Sequence, residues 1–165
     1  MSNQIVVIAH NIRSTHNVGS LLRTCEGLGI QEVYFTGYTP FPKKDKDSRL
    51  PHIAEKLHKQ IHKTALDAED IIMWHQSDDI TPVLHNLKKQ GFTLAGLEQT
   101  PTSTKLPEFK PPQKLAIILG SEVSGMEQPL IDRMDLCLEI PMFGKKESFN
   151  VVEATTMALY HCTFR

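Results

Sequence analysis

Residues able to do chemistry gather at four places in this chain. The first is His10-Asn11-Ile12-Arg13-Ser14-Thr15-His16-Asn17-Val18-Gly19, with Arg23 a few residues on. The second is Glu98-Gln99-Thr100, and the third is Gly120-Ser121-Glu122-Val123-Ser124-Gly125-Met126. The fourth runs from Glu139-Ile140-Pro141-Met142-Phe143-Gly144 through Lys145-Lys146-Glu147-Ser148-Phe149-Asn150 to Val151. Glycines permit close backbone approach, and Glu122 supplies a fixed acceptor. Ser148 and Asn150 suit a helix start, where free backbone N–H groups can meet a ligand. Arg23 carries a permanent charge, so it stabilises a developing anion or grips a phosphate more easily than it abstracts a proton. Taken singly, each group also has a plain role: Ser148, Asn150 and Glu122 as caps, and Arg23 as a solvated side chain.

Each of the four groups follows an apolar run. Such runs occur at Ile5–Ala9, Glu32–Phe35, Ile71–Trp74, Phe92–Leu97, Leu115–Leu119 and Leu136–Ile140. They lack alternation, as strands covered on both faces do. Between them lie helical patterns: Val18 to Leu28, Pro82 to Lys89 with Thr81 as N-cap and Gly91 at the end, and about Phe149 to about Cys162. This order predicts an α/β fold, a mostly parallel sheet with helices on both faces, whose ligands gather beyond the carboxyl ends of the strands. Thr39 to Gln60 is the clearly basic region, with Lys43, Lys44, Lys46, Arg49, Lys56 and Lys59. It reads as a solvated loop with a short exposed helix or as a phosphate-contacting surface. Thr100 to Pro112, rich in proline, reads as a surface connection.

Length and charge narrow the class. A chain of 165 residues has the size of one domain. A net charge of −1 gives no global attraction to nucleic acid, so any basic patch is local. Cys25, Cys137 and Cys162 form no CxxC pair, which fits a reducing cytoplasm better than a disulfide framework or a zinc site. No apolar run is long enough to span a membrane, and no leader pattern precedes Ile5. His58 and His62 are spaced i, i+4, but no third ligand is evident and lysines surround them, so no metal is expected. Neither a P-loop nor a GxGxxG placed between strand and helix is present.

Three segments, in this order, carry a specific resemblance: Asn17-Val18-Gly19-Ser20-Leu21-Leu22-Arg23-Thr24-Cys25, Ile118-Leu119-Gly120-Ser121-Glu122-Val123-Ser124-Gly125-Met126, and Ile140-Pro141-Met142 through Ser148-Phe149-Asn150-Val151. With them the chain resembles the SpoU/TrmH family of SPOUT RNA methyltransferases across nearly its whole length. The resemblance implies transfer of a methyl group from S-adenosylmethionine to a ribose 2′-hydroxyl of tRNA or rRNA. It also implies a homodimer and a deep C-terminal trefoil knot, which general folding rules disfavour. Position by position, it makes Arg23 the principal catalytic candidate, with Asn17, Glu122, Ser148 and Asn150 shaping the site. Cofactor contacts, mainly through backbone, are implied for Leu97, Glu98, Gly120, Ile140, Met142, Phe149 and Asn150. Phe149 stands where the family usually has leucine, and Val152 where a small hydroxyl residue is common. Larger family members carry an added RNA-binding segment, whereas residues 1–165 read as a single methyltransferase domain without one. RNA contact is then expected from the domain's own surface, through Lys43, Lys44, Lys46 and Arg49. The alternative is an RNA-binding module of the same fold without methyl transfer.

Overall fold

The computed structural model describes residues 3–30 and 32–165. In chain order the strands are β1 (Gln4–His10), β2 (Glu32–Thr36), β3 (Met73–Ser77), β4 (Thr93–Leu97), β5 (Thr104–Lys105), β6 (Lys114–Leu119) and β7 (Leu136–Glu139). The helices are α1 (Thr15–Gly27), α2 (Pro51–Ala65), α3 (Ala68–Ile71), α4 (Ile80–Lys89), α5 (Gln128–Ile131) and α6 (Val151–Phe164), with a 3-10 turn at Leu106–Glu108. All strand pairs are parallel, in the order β3-β2-β1-β6-β4-β7-β5.

The central strands are apolar throughout because both faces are covered. In β1, Ile5, Val7 and Ala9 join the buried cluster that includes Leu21, Leu22 and Cys25 of α1, Ile61 and Ala65 of α2, and Ala158, Leu159 and Cys162 of α6. Val6 and Ile8 point the other way, into a cluster with Ile80, Val83, Leu84 and Leu87 of α4. β6 splits likewise, Leu115, Ile117 and Leu119 to the first face, Ala116 and Ile118 to the second. Hydrophobic burial on two faces therefore fixes the register, since a one-residue slip exchanges the two cores. β3, at the edge, is mostly polar and half-exposed. The three cysteines are free and buried, and burial pushes the Cys25 thiol up to about 12.

Several expectations need adjustment. Ile71 ends the short α3 rather than opening a strand, and β3 begins at Met73. The N-cap of α4 is Asp79, whose carboxylate accepts the N–H of Thr81 (2.8 Å), so Thr81 lies inside the helix. The short helix expected near Gln60 extends for 15 residues as α2, with Pro51 at its first position. β5 forms within the proline-rich connection, where Thr104 and Lys105 pair with Leu138 and Glu139. Among the described residues, no helix is long and apolar enough to cross a membrane.

Candidate functional site

The three motif segments meet at the carboxyl ends of β6, β4 and β7, which lie side by side in the sheet. A pocket of about 610 Å³ opens there. Its lining contains Asn17, Leu97, Glu98, Gly120, Glu122, Ile140, Met142, Ser148, Phe149 and Asn150. Leu138, Val151 and Ala154 add apolar wall, and Gln99, Ser121, Val123, Ser124 and Glu147 are also present. The sequence reading passed over Leu138 and Ala154, although both positions carry a signal. Leu138 lies one residue before the end of β7, and Ala154 follows Val151 at the i, i+3 spacing that shares a helix face.

One hydrogen-bonded chain joins the motifs. The Asn150 amide donates to Asn17 Oδ1 (3.4 Å), and the Asn17 amide donates to Glu122 Oε1 (3.1 Å). The Glu122 carboxylate also accepts the N–H of Arg13 (2.9 Å to Oε2) and of Ser14 (3.0 Å to Oε1). It thus holds the turn entering α1, whose N-cap is Ser14 and whose first turn includes the buried Asn17. Burial alone would push the Glu122 carboxyl up. The N–H groups of Arg13 and Ser14 and the Asn17 amide outweigh that and hold it below the ordinary carboxylate value.

A second carboxylate braces the loop after β6. Glu98 Oε2 accepts the N–H of Met126 (2.9 Å), and Oε1 accepts that of Gln99 (3.2 Å). Ser121 and Gly125 exchange backbone bonds of 3.1 and 2.9 Å, closing a tight turn. Gly125 has φ 66°, a left-handed conformation open to glycine. At Gly120 a Cβ would lie 2.5 Å from the Gly125 carbonyl carbon and 2.6 Å from Met126 N, so the turn closes only around a bare backbone.

The opposite wall is built differently. Residues 141–149, between β7 and α6, make no hydrogen bond or ion pair among the described residues. Asn150 ends that freedom: its side chain accepts the N–H of Val152 (2.8 Å) and caps α6. Helix α6 therefore starts at Val151, two residues later than expected, and Ser148 is an exposed pocket residue without a capping bond.

Arg23 is not among the residues lining this pocket. It is exposed on α1 and lines a separate shallow cleft with Ser20, Thr24, Lys63 and Thr64. Arg49 requires a correction. Its side chain, 16% exposed, is locked by Asp47 (2.5 Å) and by the carbonyls of Phe41 (2.9 Å) and Pro42 (3.0 Å). The guanidinium also stacks 3.7 Å from the Phe41 ring centroid. With its donors spent on holding the loop before α2, it is a structural arginine and not a free phosphate contact. Lys43 pairs with Glu55 (3.3 Å), a weak, solvent-facing contact, whereas the half-buried Lys44 donates to Gln76 (3.3 Å) and lies 5.2 Å from the Phe41 ring centroid. His58 accepts the Lys43 N–H and His62 pairs with Glu69. Among the described residues, no three histidine, cysteine or carboxylate side chains gather as a metal site.

The same chain pattern occurs in known proteins. The SpoU rRNA Methylase family pattern matches residues 4–160, and the chain belongs to that family. The tRNA (guanosine(18)-2′-O)-methyltransferase of Saccharomyces cerevisiae is 30% identical over 164 residues, 98% of this chain. The chain spans only 10% of that yeast protein's length. The enzyme of the same name from Aquifex aeolicus is 26% identical over 94% of this chain and 67% of its own. Among solved structures, the A. aeolicus TrmH/SpoU tRNA modifying enzyme superimposes with a TM-score of 0.72 at 23% identity. That match covers 96% of this chain and 73% of the other. The SpoU methyltransferase AviRb from Streptomyces viridochromogenes, in complex with AdoMet, gives 0.80 at 17% identity over 98% of this chain and 57% of its own. These likenesses establish the α/β fold of the SpoU/TrmH structures.

Proposed function

We propose that the protein transfers a methyl group from S-adenosylmethionine to a ribose 2′-hydroxyl of tRNA or rRNA. The observation that carries this reading is the Asn150–Asn17–Glu122 chain, which ties three distant segments around one pocket. The yeast and A. aeolicus relatives, both tRNA (guanosine(18)-2′-O)-methyltransferases, and the AdoMet bound by AviRb point the same way.

The pocket fits the cofactor's chemistry. Leu138, Ile140, Phe149, Val151 and Ala154 offer an apolar wall for an adenine ring. The backbone of residues 141–149, unspent on internal bonds, offers donors and acceptors, and Gly120 permits close approach. Leu97, Glu98, Gly120, Ile140, Met142, Phe149 and Asn150 hold the cofactor in this reading. Bound there, S-adenosylmethionine supplies an electrophilic methyl on its sulfonium. The chain's own residues then align the ribose oxygen and exclude competing water. Asn17 and Glu122 keep α1 seated against the pocket. Ser148, exposed at the rim, offers a hydroxyl to the incoming ribose. Arg23, in the neighbouring cleft, grips a substrate phosphate rather than taking a proton from the ribose, because guanidinium stays protonated.

The wider reading places residues 1–165 in one methyltransferase domain of a cytoplasmic homodimer whose C-terminal part forms a trefoil knot. RNA contact falls to Lys43, Lys44 and Lys46 at the edge near β3, where charge reversal should lower RNA affinity and its salt slope. Calorimetry with S-adenosylmethionine tests the core of the reading: micromolar binding to folded protein supports it, and no binding overturns it.

A further inference from the structure

The cleft that holds Arg23 is a second, differently built site. It has a volume of about 440 Å³ and is lined by Ser20, Arg23 and Thr24 of α1 and by Lys63 and Thr64 of α2. Two cations and three hydroxyls line it, and no carboxylate does. Some cations of the chain are paired with acids, Lys43 and Lys59 with Glu55, Arg49 with Asp47, and Lys88 with Asp135, but the two in this cleft are not. Arg23, Lys63 and the Ser20 hydroxyl have no hydrogen-bond or ion-pair partner among the described residues.

The juxtaposition is imposed by the fold. Gly19 lies against α2, where an added Cβ would meet Thr64 Oγ1, the Ile61 carbonyl and Ala65 N (2.9 Å). The Thr64 hydroxyl donates to the His16 carbonyl (2.9 Å), fastening α2 to the first turn of α1. The helices thus cross without a side chain between them. One turn beyond Gly19, Arg23 is brought beside Lys63 by this crossing. Two like charges held in one open cleft repel, and an anion lodged between them relieves that cost. The hydroxyls of Ser20 and Thr24 can donate to the same oxygens.

We propose that Lys63, with Arg23 and the Ser20 hydroxyl, forms a subsite for one phosphodiester of the substrate RNA. This inference rests on the methyl-transfer reading and adds Lys63 and α2 to it. Asn17 of the same helix lines the cofactor pocket, and Arg23 lies six residues on, about 9 Å along the axis. A phosphate fixed there holds the RNA backbone next to the methyl-donor pocket. Lys63 is then a positioning residue: it acts on the chain being methylated, not on the reacting atoms.

The test uses the full chain with unfractionated tRNA, comparing Lys63→Glu with Lys89→Glu on α4, across the sheet. Lys63→Glu should weaken RNA binding about tenfold and lower the slope of log K against log salt by about 1. Lys89→Glu should change neither. Lys63→Gln should raise KM for RNA with kcat nearly kept, and Lys63→Arg should restore it. S-adenosylmethionine affinity and melting temperature should match the parent protein in all of them, so a folding defect would be visible. Equal losses for Lys63→Glu and Lys89→Glu, or none for Lys63→Glu, would overturn the subsite. Failure of the parent protein to methylate RNA would instead overturn the function on which the subsite depends.

Discussion

Two loops face each other across the pocket, and they are held in opposite ways. Gly120–Met126, after β6, is braced by the Glu98 carboxylate and by the Ser121–Gly125 backbone pair. Its Glu122 in turn holds the entry to α1 through backbone N–H groups. Residues 141–149, after β7, carry no hydrogen bond to the other described residues until Asn150 caps α6. The first wall is therefore prebuilt, while the second has donors and acceptors to spare for a ligand. A site made this way pays part of its ordering cost on binding, as segments that close over a ligand do.

The sharpest way to break the comparison is in the rigid wall. Gly120→Ala puts a methyl group against backbone atoms of Gly125 and Met126, which cannot move aside as a flexible side chain can. It should cost about 3 kcal/mol in thermal unfolding and lower S-adenosylmethionine affinity by roughly tenfold or more. Glu122→Gln turns one acceptor oxygen into a donor facing N–H groups and should cost about 2 kcal/mol.

The same variant carries a pH signature. The folded Glu122 carboxyl titrates below the ordinary carboxyl value of 4.5, so its stabilisation is fully present above that pH. It is lost as pH falls through the lower, folded value. The stability gap between parent and Glu122→Gln should hold from neutral pH to about 5 and narrow below 4.5. Denaturant unfolding at several pH values checks this.

Changes in the open wall should act on binding more than on folding. Asn150→Ala removes the cap of α6 and the link to Asn17, and should cost about 1 kcal/mol along with weaker cofactor binding. Phe149→Ala, at a side chain already 38% exposed, should change stability by less than about 0.5 kcal/mol while cofactor affinity falls several-fold. Hydrogen exchange sharpens the contrast without mutation. The Gly125 and Met126 amides should be protected with or without cofactor, whereas amides of residues 142–149 should exchange fast and slow only when S-adenosylmethionine is added.

What the sequence disclosed follows from the same physics. The central strands were legible because burial on both faces leaves unbroken apolar runs in β1, β4 and β6. β5 was not, since Thr104 and Lys105 are extended by pairing with β7 rather than by any pattern of their own. Thr81 and Asp79 both suit a cap, and only the carboxylate's bond to the Thr81 N–H decides between them. Most pocket residues could be named because they follow strands that prove to be neighbours. The position of Arg23 could not, because it depends on how α1 crosses α2 at Gly19. Arg49 misleads any count of charges, as its partner Asp47 lies two residues back.

The central claim is that the pocket between these walls is a methyl-donor site serving a ribose oxygen. The most direct measurement is to incubate the protein with methyl-labelled S-adenosylmethionine and unfractionated tRNA and rRNA, then digest the RNA to nucleosides. The account predicts label in 2′-O-methylated ribose, strongly reduced in Gly120→Ala at limiting S-adenosylmethionine. Label confined to bases, or none transferred by folded, cofactor-binding protein, would contradict it.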